Sequence, residues 1–232
     1  MTSCAVMQPT YLPWAGYFTL MASVDTFVIL DDVQYERKSW QCRNRILVGK
    51  LTSYITVPVK KQPLTELIQN IEIDYSKNWQ TTHADMLRAA YGDLVHGHAL
   101  VEAICQIIGG APALLVDLNF ELISFFARYL NITTPLVRAS TLGCGGKRSK
   151  HVGLICKAVG ADHYVSPEGA RDYMTADKFA KNTGLSVTFN NFDAPAYPQA
   201  PTDDYISHLS IIDVAAHCGQ AFAADYIRGN VK

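Results

Sequence analysis

The chain opens with two apolar runs, Cys4-Ala-Val-Met and Asp25-Thr-Phe-Val-Ile-Leu, and each stops abruptly, the first at Gln8-Pro9 and the second at Asp31-Asp32. Between them Pro13 and Gly16 turn the chain and a short apolar helix follows. The order reads strand, loop, helix, strand. Gln8 to Asp25 is long enough for a parallel crossover, so Gln8, Tyr11, Trp14, Gly16, Asp31, Asp32 and Gln34 are expected at the carboxyl ends of two neighbouring strands. In open α/β sheets that edge is where ligands bind.

The same grammar returns near the end. Leu136 to Ser140 reads as a strand, Leu142-Gly-Cys-Gly-Gly-Lys-Arg-Ser149 as a glycine-rich loop, and Lys150 to Val159 as a helix closed by Gly160. Strand Asp162 to Ser166, helix Thr175 to Asn182 and strand Leu185 to Asn190 complete a βαβαβ arrangement. Asn190 to Pro201 is extended and fixed by prolines, and Ser210 caps a helix that runs to His217 and stops at Gly219, with Asp213 at the capping-box position. In between, Ile46 to Val59 forms two strands joined at Gly49-Lys50, and Gln69 to Asp74 a further short strand. Trp79 to Tyr91, Val101 to Ile108 and Pro112 to Leu130 have helical spacing, and His96-Gly-His98 is expected in a polar turn between helices, because no third ligand supports a metal reading. The expected fold is one α/β domain over 1–232: a doubly wound, mostly parallel, Rossmann-like sheet with a β-hairpin and a helical insertion. Its parts are the amino-terminal βαβ unit and hairpin (1–75), the insertion (76–134) and the carboxyl-terminal βαβαβ unit with its helix (135–232).

Composition narrows the function classes. A formal net charge of −1 gives no global basic field of the kind that nucleic-acid binders use. The apolar stretch Ala113 to Leu130 carries Asp117, Asn119, Glu121 and Arg128, which suits a buried helix rather than a membrane span. The six cysteines include no Cys-x-x-Cys pair and follow no signal-peptide pattern, so they are expected to be reduced thiols of a cytoplasmic protein.

Several stretches carry candidate chemistry. Arg37, Lys38, Arg43 and Arg45 lie close together and offer guanidinium groups suited to phosphate, or else form a solvated loop. His83 falls on the apolar face of its helix, as a packed core histidine or a base. The glycine-rich loop lets backbone approach a ligand, and with Lys147, Arg148 and Lys150 it could favour an anion, although it matches neither a Walker A loop nor G-x-G-x-x-G. Cys144 within it is a candidate activated thiol, or an incidental small residue.

The wording of Gln8-Pro-x-Tyr-Leu-Pro-Trp-x-Gly-Tyr-Phe, Asp25-x-Phe-Val-x-x-Asp-Asp-Val-Gln-Tyr35 and Trp40-x-x-Arg43-Asn44-Arg45-Ile resembles the WbqC-like family, found among bacterial O-antigen and surface-sugar biosynthesis genes. The resemblance continues through Thr56-Val-Pro-Val, Trp79 with His83, Gly160-Ala-Asp-x-Tyr164-x-Ser166, Tyr197-Pro-Gln199 and Leu209-Ser-Ile-Ile-Asp213. It implies acyl or aminoacyl transfer onto a sugar amine, with a nucleotide-linked sugar as acceptor and a thioester of coenzyme A or of an acyl or peptidyl carrier protein as donor. No tightly bound cofactor or metal is expected; a carrier protein is a candidate partner, and oligomerisation is left open.

Such a reaction needs a pocket for a flat base, cations for the diphosphate, a base for the amine proton and donors for the oxyanion. Trp14, Tyr11 and Tyr35 could shape the pocket, with Gly16, Gln34, Asn44 and Ser166 among the binding residues. Arg43, Arg45, Lys147 and Arg148 could meet phosphates, Gln8 could orient the substrate, and Asp31, Asp32 or His83 could serve as base. A second reading is a nucleotide-dependent enzyme of the nucleotidyltransferase kind. There Trp14-Ala-Gly16-Tyr17 occupies the place of a His-x-Gly-His signature, and the loss of both imidazoles argues against adenylyl transfer. A third is a non-catalytic sugar-binding or scaffold protein.

Overall fold

In the computed structural model, which describes residues 1–200, 202 and 204–231, the first apolar run is β1 (Ser3–Met7) and the second is β2 (Thr26–Ile29). They pair in parallel, Cys4 opposite Thr26 and Met7 opposite Ile29, across helix α1 (Ala15–Ala22). The five-stranded sheet runs β5-β2-β1-β6-β7, where β5 is Leu136–Arg138, β6 His163–Pro167 and β7 Ser186–Asn190. All its pairings are parallel. The chain therefore builds outward from β1 through β2 to β5, then crosses back to lay β6 and β7 on the other side of β1. At that reversal, between β1 and β6, the connections leave in opposite directions and the carboxyl ends of the strands open into a crevice.

Both faces of the sheet are covered, which is why the strands read as unbroken apolar runs rather than as alternating ones. The pleat still sorts the side chains. Ala5, Phe27, Ile29 and Val165 join one core with α1, α4 (Leu115–Tyr129) and α8 (Ile211–Tyr226), whereas Cys4, Val6, Val28 and Tyr164 join a second core with α5 (Arg148–Ala158). The hairpin, β3 (Arg43–Val48) and β4 (Leu51–Thr56), turns at Gly49 and stands apart from the main sheet. It packs on the first core with α2 (Trp79–Tyr91) and α3 (Gly97–Gly109). All six cysteines are free thiols, and among the described residues no helix is long and apolar enough to cross a membrane.

Four local expectations change. Gln69 to Asp74 is not a strand: Ile68–Asn70 forms a single 3-10 turn and only isolated bridges follow at Glu72 and Ile73, because the segment spends its backbone bonds on several different neighbours. Of His96-Gly-His98 only His96 lies in the turn between helices, since α3 begins at Gly97. Thr175 to Asn182 divides into α6 (Arg171–Ala176) and α7 (Phe179–Thr183), broken at Lys178, which takes a left-handed φ of 50°. The last helix does not end at Gly219. It breaks there (φ 86°), where an added Cβ would stand 3.1 Å from the His96 ring, and resumes to Tyr226, because Ala223 and Tyr226 bury on the first core. Pro201, at the end of the expected extended segment, lies outside the described residues.

That segment is tied down by Asp213, which is fully buried in the first turn of α8. Its oxygens accept from Tyr91 (3.1 Å), Tyr197 (2.7 Å) and Gln199 (2.8 Å). Gln199 is in turn bonded to both peptide groups of Ile206, and Tyr91 accepts from the Leu47 amide of β3. Nδ1 of His217 faces the Asp213 carbonyl (2.8 Å) and Nε2 the Ala200 carbonyl (3.0 Å), so the ring makes both bonds only when doubly protonated, 3.7 Å from the carboxylate. Beside Asp213, burial first and the carboxylate second hold the Tyr91 and Tyr197 phenols well above their usual range. Asp213→Ala strands these donors in the core and is expected to cost about 3 kcal/mol. Denaturant unfolding of the variant against the native chain measures it.

Candidate functional site

The β1–α1 connection borders the crevice and has no regular structure of its own, so its peptide groups must find partners elsewhere. The Tyr11 amide donates to the Trp40 carbonyl (3.0 Å), and the Asn44 side chain, 2 % exposed on β3, donates to the carbonyls of Tyr11 (3.1 Å) and Leu12 (2.8 Å). From the other flank the Ile211 amide donates to the Pro13 carbonyl, and Trp14 bridges Ser210. Trp14 then folds back over Gly16, where a Cβ would lie 2.2 Å from the indole; only glycine fits. The His208 ring stacks on the Trp14 indole at 4.9 Å and 27°.

Two adjoining cavities of about 260 and 280 Å³ result, and both are lined by Met7, Trp14, Tyr17 and His208. The first extends to Glu168, Gly169 and Asn191 beyond β6, the second to Thr10, Trp40, Asn44 and Arg45. Two buried polar atoms on lining residues have no hydrogen-bond partner among the described residues: the Tyr17 hydroxyl, on a residue 1 % exposed, and Nε of Arg45. Two further such atoms, Trp79 Nε1 and Asn119 Oδ1, sit on residues that do not line it. An unpaired buried donor costs about 1–3 kcal/mol, so a ligand that accepts from it recovers that loss. Burial holds the Tyr17 phenol well above its usual range, so the hydroxyl keeps its proton and has a hydrogen to donate. Arg45 also grips the Ser207 (3.3 Å) and His208 (3.2 Å) carbonyls through Nη2. His208 is exposed and uses Nδ1 toward Ser207 Oγ (2.8 Å), while its Nε2 has no partner among the described residues. Glu168 is held below the usual carboxylate range by its hydrogen bond to Arg171.

The other expected residues disperse. Asp31 is fully buried and occupied: Oδ2 accepts from Arg138 (2.7 Å) and the Ser140 hydroxyl (2.8 Å), Oδ1 from the Ser140 amide (2.9 Å). Asp32 instead meets Nε2 of His151 (3.0 Å), whose Nδ1 faces the Gly145 carbonyl (2.8 Å) of the glycine-rich loop. Tyr11 donates to Nδ1 of His83 (2.9 Å) and His83 Nε2 donates to the Thr56 carbonyl (3.1 Å), all within the core. Gln8 accepts from Gln41 (2.9 Å), and Ser166, buried in β6, bonds the Pro167 carbonyl. Gln34, Tyr35 and Arg43 line a separate groove of about 1140 Å³, and Lys147 and Arg148 a cavity of about 520 Å³ between α5 and α7. Cys144 is half-buried near its own loop carbonyl, Leu142. Among the described residues no group of three or more His, Cys, Asp or Glu is placed to hold a metal ion.

Sequence reasoning missed His208, His151, Trp40 and Tyr17 as site or near-site groups. Tyr17 and Trp40 stood inside conspicuous motifs and were there to be taken. His208 carries no local signal, since it reaches Trp14 from the far end of the chain.

Comparison with known proteins agrees with the length of the resemblance. The family model described as the WbqC-like protein family matches residues 8–224. An uncharacterized protein of Mycobacterium tuberculosis is 30% identical over 230 residues, 98% of each chain. No solved structure matches.

Two variants probe these assignments. Tyr17→Phe removes a donor that has no partner, so the free protein is expected to keep its stability or gain about 1 kcal/mol in chemical denaturation. His83 behaves oppositely with pH. Burial, partly opposed by the Thr56 hydrogen bond, draws its pKa from 6.5 to about 4. Between those values the unfolded chain binds the extra proton, so stability is full above about pH 6.5 and falls by about 3 kcal/mol as pH drops to 4. Unfolding curves across that window measure the slope, which His83→Gln flattens.

Proposed function

The chain belongs to the WbqC-like protein family, and we propose that it is a transferase which moves an acyl or aminoacyl group from a thioester to the amino group of a nucleotide-linked sugar held in the crevice. The observation that carries this reading is the pair of unpartnered buried donors, the Tyr17 hydroxyl and Arg45 Nε, on residues lining a crevice walled by Trp14 and Trp40. A polar, phosphate-bearing ligand with a flat base fits that combination. The indoles offer faces for the base, Arg45 the unpartnered Nε–H for a phosphate oxygen, and Tyr17 a hydrogen bond to a sugar oxygen.

Amide formation then needs a proton acceptor. The amine nitrogen attacks the thioester carbonyl carbon, a C–N bond forms, the C–S bond breaks, and the amine proton leaves while the thiolate becomes a thiol. His208 supplies the acceptor through its open Nε2, held in place by the Trp14 stack and Ser207. Asp31 is unsuited, because its lone pairs already meet Arg138 and Ser140. The Rossmann-type strand order also keeps a nucleotide-dependent transfer in view.

Calorimetric titration separates the readings. An amino-sugar nucleotide is expected to bind without Mg²⁺, with affinity reduced about three- to tenfold in Tyr17→Phe, the size of one hydrogen bond. With an acyl thioester added, thiol release is expected to fall about a hundredfold or more in His208→Gln. Binding confined to ATP with Mg²⁺ would refute the transferase and leave the nucleotidyltransferase.

A further inference from the structure

Besides the crevice the molecule has a larger groove, of about 1140 Å³, bordered by Arg43 and Thr56 of the hairpin. The residues that line one do not line the other. The two are divided by a stack in which the Arg43 guanidinium stands 4.5 Å over the Tyr54 ring and Trp40 packs beside Tyr54 at 6.3 Å; Trp40 faces the crevice and Arg43 the groove. We infer that this groove is a second ligand site, for an organic polyphosphate: a molecule with two or more phosphates on a partly apolar body.

Charge is the first reason. The lining holds Arg37, Lys38, Arg43, Lys60 and Lys61 against the carboxylates of Glu36 and Asp74, in a chain whose net charge is −1. Lys60 is paired with Glu72 just outside. Arg37 donates only to the Gln62 carbonyl (2.9 Å), Arg43 rests on a ring, and Lys38 and Lys61 make no ion pair or hydrogen bond among the described residues. These cations come from three separate stretches of chain, so their convergence is made by the fold rather than by one basic run.

Their supports are rigid, which is the second reason. Tyr35 is bonded to the Glu66 carbonyl, the Gln34 side chain to the Leu64 carbonyl (2.6 Å), and Lys60 and Asp74 exchange backbone bonds with the opposite segments at Glu72 and Pro58. The two loops that carry Lys38 and Lys61 are thereby laced together, and Lys38 is held at a left-handed φ of 58° that a lysine does not favour. The third reason is the floor. Val57, Pro58, Val59, Pro63 and Tyr35 line it, an apolar surface on which the uncharged part of a ligand can lie. The volume exceeds that of either crevice cavity about fourfold, enough for a molecule of coenzyme size. The inference does not depend on the transferase reading; where that reading holds, a phosphate-bearing thioester donor meets the groove's requirements.

Titration calorimetry with coenzyme A, adenosine 3′,5′-bisphosphate and pyrophosphate tests it. Coenzyme A is expected to bind most tightly, to weaken on raising salt from 50 to 200 mM, and to lose about tenfold or more in affinity in the Lys38→Glu/Lys61→Glu variant, whose exposed positions leave the fold unaffected. Tyr17→Phe is expected to leave that affinity unchanged. Unchanged binding of coenzyme A to the Lys38→Glu/Lys61→Glu variant, or no binding of any of the three probes, would overturn the groove site. Loss of amino-sugar nucleotide binding in the native chain with coenzyme A still bound would refute the crevice reading alone.

Discussion

Irregular backbone at the end of a strand has to be hydrogen-bonded by something other than itself, and in this protein the loop after β1 sets that requirement for everything near it. Asn44 meets it from the hairpin, with both amide hydrogens on the Tyr11 and Leu12 carbonyls, and Ile211 meets it from the start of the last helix. Leu12 accepts a left-handed φ of 46° in the process, a strain of the order of 1 kcal/mol that persists because both flanks fix the loop. The crevice follows from this lacing. The hairpin brings Asn44, Arg45 and Trp40 to one wall, and the segment before α8 brings His208 to the other.

Buried and half-buried carboxylates do the anchoring where helices and strands cannot. Asp31 joins the end of β2 to β5 and its following turn, Asp32 joins it to the glycine-rich loop through His151, and Asp213 holds the Tyr197 to Ile206 segment to α2 and β3. Each sits where chain segments far apart in sequence meet. Charges so placed are weak contributors to net stability, because desolvation offsets their attraction, but they leave few alternative arrangements that satisfy all partners. The cations of the groove are the contrast. They remain at the surface with few partners among the described residues.

Much of the architecture was legible because it rests on short-range pattern. Apolar runs bounded by polar residues gave the parallel strands, and Pro13, Gly49 and Gly160 marked real turns or helix ends, while Gly16 lies inside α1. The site was less legible, and Asp31 with Asp32 shows why. Adjacent in sequence, they were expected to share one edge, yet successive residues leaving a strand point to opposite faces of the sheet. Asp31 turns to Arg138 and Asp32 to His151, so one stretch of sequence serves two places. Arg43 and Arg45, two apart on β3 and so on one face of it, nevertheless line different cavities, the groove and the crevice.

The sequence by itself determined the α/β class, the identity of the sheet strands and the family, since all three depend on residue type and local spacing. Which residues share a cavity was decided only by the tertiary structure. Trp14 and His208, or Lys38 and Lys61, come together through backbone bonds between segments distant in the chain. No local periodicity encodes such a contact, because its energy exists only once the sheet order and the lacing of the loops are in place.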